Sequence, residues 1–199
     1  MNIVFDIGDV LIAWHPERAF AGHFPDDAAA RAWLDSIDFF NWNYAFDGGR
    51  SFLEGLAAAE AAHPGRTGPL AAYLAGFPET IRTPIAGTWD LLDRLQARGR
   101  PLYAVTNFAA ETWPLALQVH PRLGTVFRDV VVSGRERVLK PRPEIFELLL
   151  KRNALVAEEC LFIDDNPANV DGARAVGMAA HHFTSPAALE ADLARRGLL

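Results

Sequence analysis

One cysteine, Cys160, in a chain of 199 residues excludes an internal disulfide. It lies in Glu159-Cys-Leu-Phe-Ile-Asp164, beside or within an apolar run, where a small buried thiol is the ordinary reading. No basic stretch stands out and the formal net charge is -6, which argues against a nucleic-acid or anionic-membrane partner. No segment approaches the roughly 18 uncharged apolar residues of a membrane-crossing helix. The N-terminus has no basic region, and Asp6 and Asp9 interrupt its apolar run, so no secretory leader is expected. Internal repeats and low-complexity segments are also missing. These absences leave a cytoplasmic protein without membrane or nucleic-acid partners as the expectation. They set no oligomeric state.

What is present is apolar. Half the residues are hydrophobic and 11% are aromatic, enough for a core in one domain, or in one domain with an insertion. Five short, nearly unbroken apolar runs read as strands: Ile3–Ile7, Leu102–Thr106, Val130–Ser133, Leu161–Ile163 and Ala180–Phe183. Such runs suit a parallel sheet covered on both faces. Helical patterns separate them over Trp89–Arg98 and Pro143–Arg152. Asn166-Pro167 begins another, because Asn caps well and Pro is tolerated at the first helical position; Gly177 ends it. The alternation predicts an α/β fold with a doubly wound parallel sheet. Residues 14–84 break it. They hold no convincing strand and are rich in Ala and aromatics, as in Ala28–Phe40 and Ser51–His63. The expected organisation is an α/β core of residues 1–13 and 85–199 with an inserted helical subdomain of residues 14–84.

Ligands in an open parallel sheet bind beyond the carboxyl ends of the strands. Those ends read, in order, Asp6-Ile7-Gly8-Asp9, Thr106-Asn107, Lys140 after the third strand, and Asp164-Asp165-Asn166. Asp6, Asp164 and Asp165 would gather negative charge in a partly dry place, which needs a cation between them. Hard oxygen donors from two strands match Mg²⁺. Lys140 adds a further positive charge. A phosphate dianion could then bind in near charge balance, its remaining oxygens held by Thr106, Asn107 and backbone N–H groups.

The series Phe5-Asp-Ile-Gly-Asp-Val10, Val105-Thr-Asn107, Leu139-Lys-Pro-Arg-Pro-Glu-Ile-Phe146 and Phe162–Met178 resembles the four motifs of the haloacid dehalogenase-like (HAD) hydrolase superfamily. The resemblance covers essentially the whole chain. The long insertion after the first motif resembles the helical cap of the C1-capped members. Within the superfamily the chain looks most like small-molecule phosphatases with an Asp-x-Gly-x-Val first motif, including the glucose-1-phosphatase type. The resemblance implies a Rossmann-like core, a small phosphate ester as substrate, and Mg²⁺. It implies Asp6 as nucleophile and metal ligand, Gly8 as a carbonyl metal ligand, and Thr106 and Asn107 as phosphate holders. Lys140 would steady nucleophile and phosphate. Asp165 would be a metal ligand, with Asp164 in support.

Most phosphatases of that superfamily carry a second aspartate two residues after the nucleophile, as acid and base. Gly8 stands there. Either the substrate has a good leaving group, such as an anomeric sugar phosphate, or Asp9, His15 or a residue of the insertion moves the proton. A weakly active phosphate-binding protein is the third reading. A 2-haloacid dehalogenase is the rival activity, against which the acids Asp164 and Asp165 count. Within the insertion, Phe39–Phe46 reads as subdomain core. Phe46-Asp-Gly-Gly-Arg50 reads as a loop over the site, with Arg50 a candidate substrate contact.

Overall fold

The computed structural model describes residues 1–199. The chain runs through β1 (Asn2–Phe5) and β2 (Ile12–Ala13) into a helical stretch. That stretch comprises α1 (Asp27–Ser36), α2 (Phe39–Asp47), α3 (Phe52–Ala62) and α4 (Tyr73–Thr80), with 3-10 turns at Pro16–Phe20 and Gly68–Ala72. It returns through β3 (Thr83–Pro84) to α5 (Ala86–Ala97), β4 (Leu102–Thr106), α6 (Trp113–Val119), β5 (Val130–Val132) and α7 (Ser133–Glu136). It ends with α8 (Pro143–Arg152), β6 (Cys160–Asp164), α9 (Pro167–Ala175), β7 (Ala179–His182) and α10 (Pro186–Arg195).

Five strands form one parallel sheet in the order β5-β4-β1-β6-β7. β1 lies at its centre, where a strand on each side and core on both faces shield Ile3, Val4 and Phe5 from water. Alternate strand residues point to opposite faces. Ile3, Phe5, Leu102, Ala104, Leu161 and Ile163 enter one core cluster, while Val4, Tyr103, Val105 and Phe162 enter the other. The first cluster has 36 buried residues and the second 13, because the first continues into the helical stretch through Phe20, Phe39, Trp42, Phe46, Tyr73 and Phe77. The insertion therefore shares its apolar core with one face of the sheet.

All five expected strands are present, each within two residues of its expected bounds. β1 is shorter than the run Ile3–Ile7 because the chain turns: Leu11 and Ile12 both donate to the Ile7 carbonyl, at 2.9 and 3.1 Å. The stretch read as free of strands contains one, β3, which pairs antiparallel with β2 through Ile12–Pro84 and Ala13–Thr83. Two residues with a proline carry no readable period, and only the pairing makes them a strand. This ribbon brings the entry and exit of the helical stretch together beside the end of β1. α4 packs on the Pro16–Phe20 turn so closely that a Cβ at Gly76 would lie 2.0 Å from the Ala19 carbonyl oxygen.

Candidate active site

The strand ends converge as the parallel sheet requires. Asp6 follows β1, and its backbone N–H still donates to Ile163 of β6 at 2.8 Å. Asp164 is the last residue of β6 and fully buried. Between them lies the Lys140 ammonium, whose Nζ is 2.8 Å from Asp6 Oδ1 and 2.7 Å from Asp164 Oδ2. Lys140 is 1% exposed. Burial works to lower its pKa, but the charges of Asp6 and Asp164 outweigh it and leave the ammonium held on.

Lys140 is placed by Asn107. The Asn107 Oδ1 accepts from the Lys140 backbone N–H at 2.8 Å, and its Nδ2 donates to the Lys140 carbonyl at 3.2 Å. This amide therefore clamps the main chain of the lysine, a use that the sequence reading did not foresee. Thr106 ends β4 at 1% exposure and is not among the residues lining the cavity. Asp164 is saturated: besides Lys140 it accepts from Asn166 N at 2.8 Å and from Asn169 Nδ2 at 3.0 and 3.1 Å. Asn169 thus supports the site from α9. That helix can approach because residue 172 is glycine; a Cβ there would lie 2.4 Å from the Pro141 carbonyl oxygen.

The donor set suits a hard divalent cation. Oxygens of Asp6, Asp164 and Asp165 lie within 4.8 Å of one another. Burial raises the pKa of Asp6 above the usual carboxylate range despite the lysine, and Asp164 and Asp165 add to the rise. Asp165 is raised as well, by burial and then by Asp164 and Asp9. Three carboxylates face one ammonium, and oxygen donors short of positive charge are what Mg²⁺ takes.

Asp6, Gly8, Asp9, Lys140 and Asp165 line a cavity of about 250 Å³. Its far wall comes from the helical stretch and its neck: Ile12, Trp14, Asn43, Asp47, Tyr73, Phe77 and Ile81. His15 is not in this lining; it faces Glu17 at 3.5 Å. Asp9 reaches the cavity, but its Oδ1 accepts the Trp14 backbone N–H at 3.0 Å, which braces the turn at a positive φ of 52°. Arg50 is exposed and outside the lining.

The residue that sequence reasoning passed over is Asp47. It stands three residues before Arg50, inside the stretch already marked as a loop over the site, but it is the last residue of α2. Asn43, one helical turn earlier, donates to its Oδ2 at 2.9 Å, and Tyr73 donates to Asn43 Oδ1 at 3.0 Å. Burial pushes the Asp47 carboxyl up to about 8, the Ala109 backbone N–H opposing the rise.

Known proteins resemble the chain in sequence and in fold. The chain is 28% identical over 182 residues to a sesquiterpene phosphatase of Aspergillus oryzae, covering 91% of this chain and 88% of that protein. Among solved structures, a HAD family enzyme of Bacteroides thetaiotaomicron, in complex with magnesium and inorganic phosphate, superposes with a TM-score of 0.69 at 18% identity, covering 92% and 94% of the two chains. A HAD-like hydrolase of Porphyromonas gingivalis does so with a TM-score of 0.69 at 24% identity over 90% and 89%. The family profile of haloacid dehalogenase-like hydrolases matches residues 1–177, and the chain belongs to that family.

Proposed function

We propose that this protein is a Mg²⁺-dependent phosphatase of small phosphate monoesters, working through an aspartyl-phosphate on Asp6. The observation that carries the reading is the buried lysine between Asp6 and Asp164, with Asp165 beside them, where Asp6, Lys140 and Asp165 line the cavity. Asp6 attacks phosphorus and splits one difficult hydrolysis into two easier displacements. Lys140 sets the orientation of the nucleophile and offsets charge on the phosphoryl oxygens. Asn107 holds the lysine, and backbone N–H groups of the loops after the strands receive phosphate oxygens, since the buried Thr106 lies outside the cavity lining. Asp6, Asp165 and the Gly8 carbonyl would hold Mg²⁺, oriented by Asp164; the ion supplies further charge neutralisation when bound. The same acids would repel a haloacid anion, which weighs against a dehalogenase.

In this reading residues 14–84 are a cap over a core of residues 1–13 and 85–199, and the cap chooses the substrate. Most polar side chains of the wall are already engaged. Asn43 is bound to Asp47 and Tyr73, Asn107 to Lys140, Thr112 to the Ala109 carbonyl, and Asn169 to Asp164. Little remains to pair with the hydroxyls of a sugar, and an unpaired polar group in a dry pocket costs about 1–3 kcal/mol. Ile12, Trp14, Phe77, Ile81 and Phe108 offer apolar contact instead. The wall favours an ester of a compact, largely apolar alcohol over glucose 1-phosphate, in keeping with the sesquiterpene phosphatase among the relatives.

The test is a panel of a short prenyl monophosphate, glucose 1-phosphate, glucose 6-phosphate and 2-chloropropionate, each with and without Mg²⁺. Release of phosphate that needs Mg²⁺, and is fastest from the prenyl ester, is the expected result. Preference for glucose 1-phosphate would restore the leaving-group explanation of Gly8. Chloride release indifferent to EDTA would overturn the phosphatase reading.

A further inference from the structure

An ordinary alcohol is a poor leaving group, so a phosphatase for such esters needs a proton donor that Gly8 cannot be. A Cβ built on Gly8 meets nothing within 4 Å, so the place of the missing side chain is open space in the cavity. Asp9 is committed to its turn and His15 lies outside the lining. One further carboxyl lines the same cavity, from the opposite wall: Asp47.

Its placement is costly and well enforced. A carboxylate as the last residue of a helix meets the negative end of the helix dipole, so local structure gives no reason for an acid there. Yet the core holds this residue firmly. The Ser133 hydroxyl donates to the Asp47 carbonyl at 2.7 Å, and the same Ser133 oxygen accepts the Phe108 backbone N–H at 2.9 Å. The chain then leaves through Gly48 and Gly49. Gly49 has φ +94°, and a Cβ there would lie 2.9 Å from Arg137 Cγ. The end of α2 is thus bolted to the strand-end loops, and the Asn43–Asp47 pair sits between Tyr73 and the site.

We propose that Asp47 is the general acid and base of the reaction, the helical insertion supplying from its own wall the carboxyl absent at Gly8. The inference rests on the phosphatase reading. As the P–O bond to the alcohol breaks, the Asp47 carboxyl gives its proton to the leaving oxygen, and the alcohol departs neutral. The Asp47 carboxylate then takes a proton from the water that attacks the aspartyl-phosphate. Inorganic phosphate leaves, Asp6 is again a free carboxylate, and Asp47 is again protonated. The charged and titratable groups facing Asp47 are Asp6, which keeps the proton on, Lys140, which favours its loss, and the Tyr73 phenol. Held at about 8 by burial, the carboxyl carries its proton at neutral pH, as the first step requires.

The experiment compares wild type and Asp47→Asn, with Mg²⁺, on an alkyl phosphate and on p-nitrophenyl phosphate, whose leaving group needs no proton. Single-turnover cleavage of the alkyl ester is expected to fall by about 10²–10⁴-fold, the usual worth of a general acid. The p-nitrophenol burst is expected to stay within a few-fold, which also reports a folded variant. Equal losses on both esters, or no loss on either, overturn the proposal. If circular dichroism shows that the variant does not fold, wild type alone decides. A kcat/KM for the alkyl ester that falls above pH about 8, with a flat profile for p-nitrophenyl phosphate, supports Asp47, and parallel profiles overturn it. Hydrolysis by wild type that ignores Mg²⁺ or survives Asp6→Asn removes the phosphatase reading itself, and this proposal with it.

Discussion

The strand ends and the helical insertion build one cavity by opposite means. At the strand ends, charged groups are buried in contact: Lys140 against Asp6 and Asp164, each main chain fixed by the parallel ladder or by Asn107. The insertion is instead an aromatic lattice. Phe39 packs against Trp14, Phe20, Phe40, Trp42 and Tyr73, at ring centroid distances of 5.4–6.3 Å. Apolar packing is tolerant of which residue supplies the area, whereas a buried ion cluster tolerates almost no change. The chemistry can therefore stay with the sheet while the insertion varies the wall, with Asp47 as the exception that crosses from one side to the other.

Asp6→Asn should test the strand-end half most severely. Removing the proposed nucleophile is predicted to lower kcat by about 10⁴-fold or more, read by phosphate release under saturating ester. Activity surviving that change would break the division of labour at its root.

Lys140→Met and Phe39→Ala form a matched pair. The first strips the only ammonium from between two buried acids and is predicted to cost about 3–5 kcal/mol of stability together with most of the activity. The second opens a cavity in the insertion and is predicted to cost about 3–5 kcal/mol by urea unfolding, while the kcat of the folded enzyme stays within several-fold. Equal loss of kcat in both variants would show that the aromatic lattice also sets the reacting geometry.

The pH profile sharpens the exception. Asp47 is raised to about 8, so its acid form persists through neutrality and disappears above that. For a substrate that needs the proton, kcat/KM should fall about tenfold per pH unit beyond it. A profile still rising at pH 9 would assign the acid role elsewhere. Smallest of all, Asn107→Ala removes two hydrogen bonds to the Lys140 main chain and is predicted to cost about 1–3 kcal/mol, with kcat reduced more than KM is raised. A change in KM alone would mean that Asn107 serves the substrate and not the lysine.

How far the site was legible follows from where its parts lie. Asp6, Asp164 and Asp165 stand out because an acid in or beside an apolar strand run has no cheap structural explanation. Lys140 and Asn107 could be placed at strand exits, but the clamp between them joins residues 33 apart and leaves no trace in either neighbourhood. Asp47 was hidden for a different reason. Phe39–Phe46 reads as a core helix, Gly48-Gly49 as a loop, and an acid between the two looks like a solvated helix end. The ribbon of β2 and β3 was hidden because two-residue strands have no period.

Local pattern and the connection rule of parallel strands were enough to read the parallel sheet, the order of its polar strand exits along the chain and the helical character of residues 14–84. Which wall faces those exits depends on long-range packing that no local pattern carries. The insertion returns through a two-stranded ribbon, shares its core with one face of the sheet, and is tied down at Ser133. Only that docking turns the last residue of α2 toward Asp6, and desolvation by the packed whole, a property of no local segment, keeps its proton on.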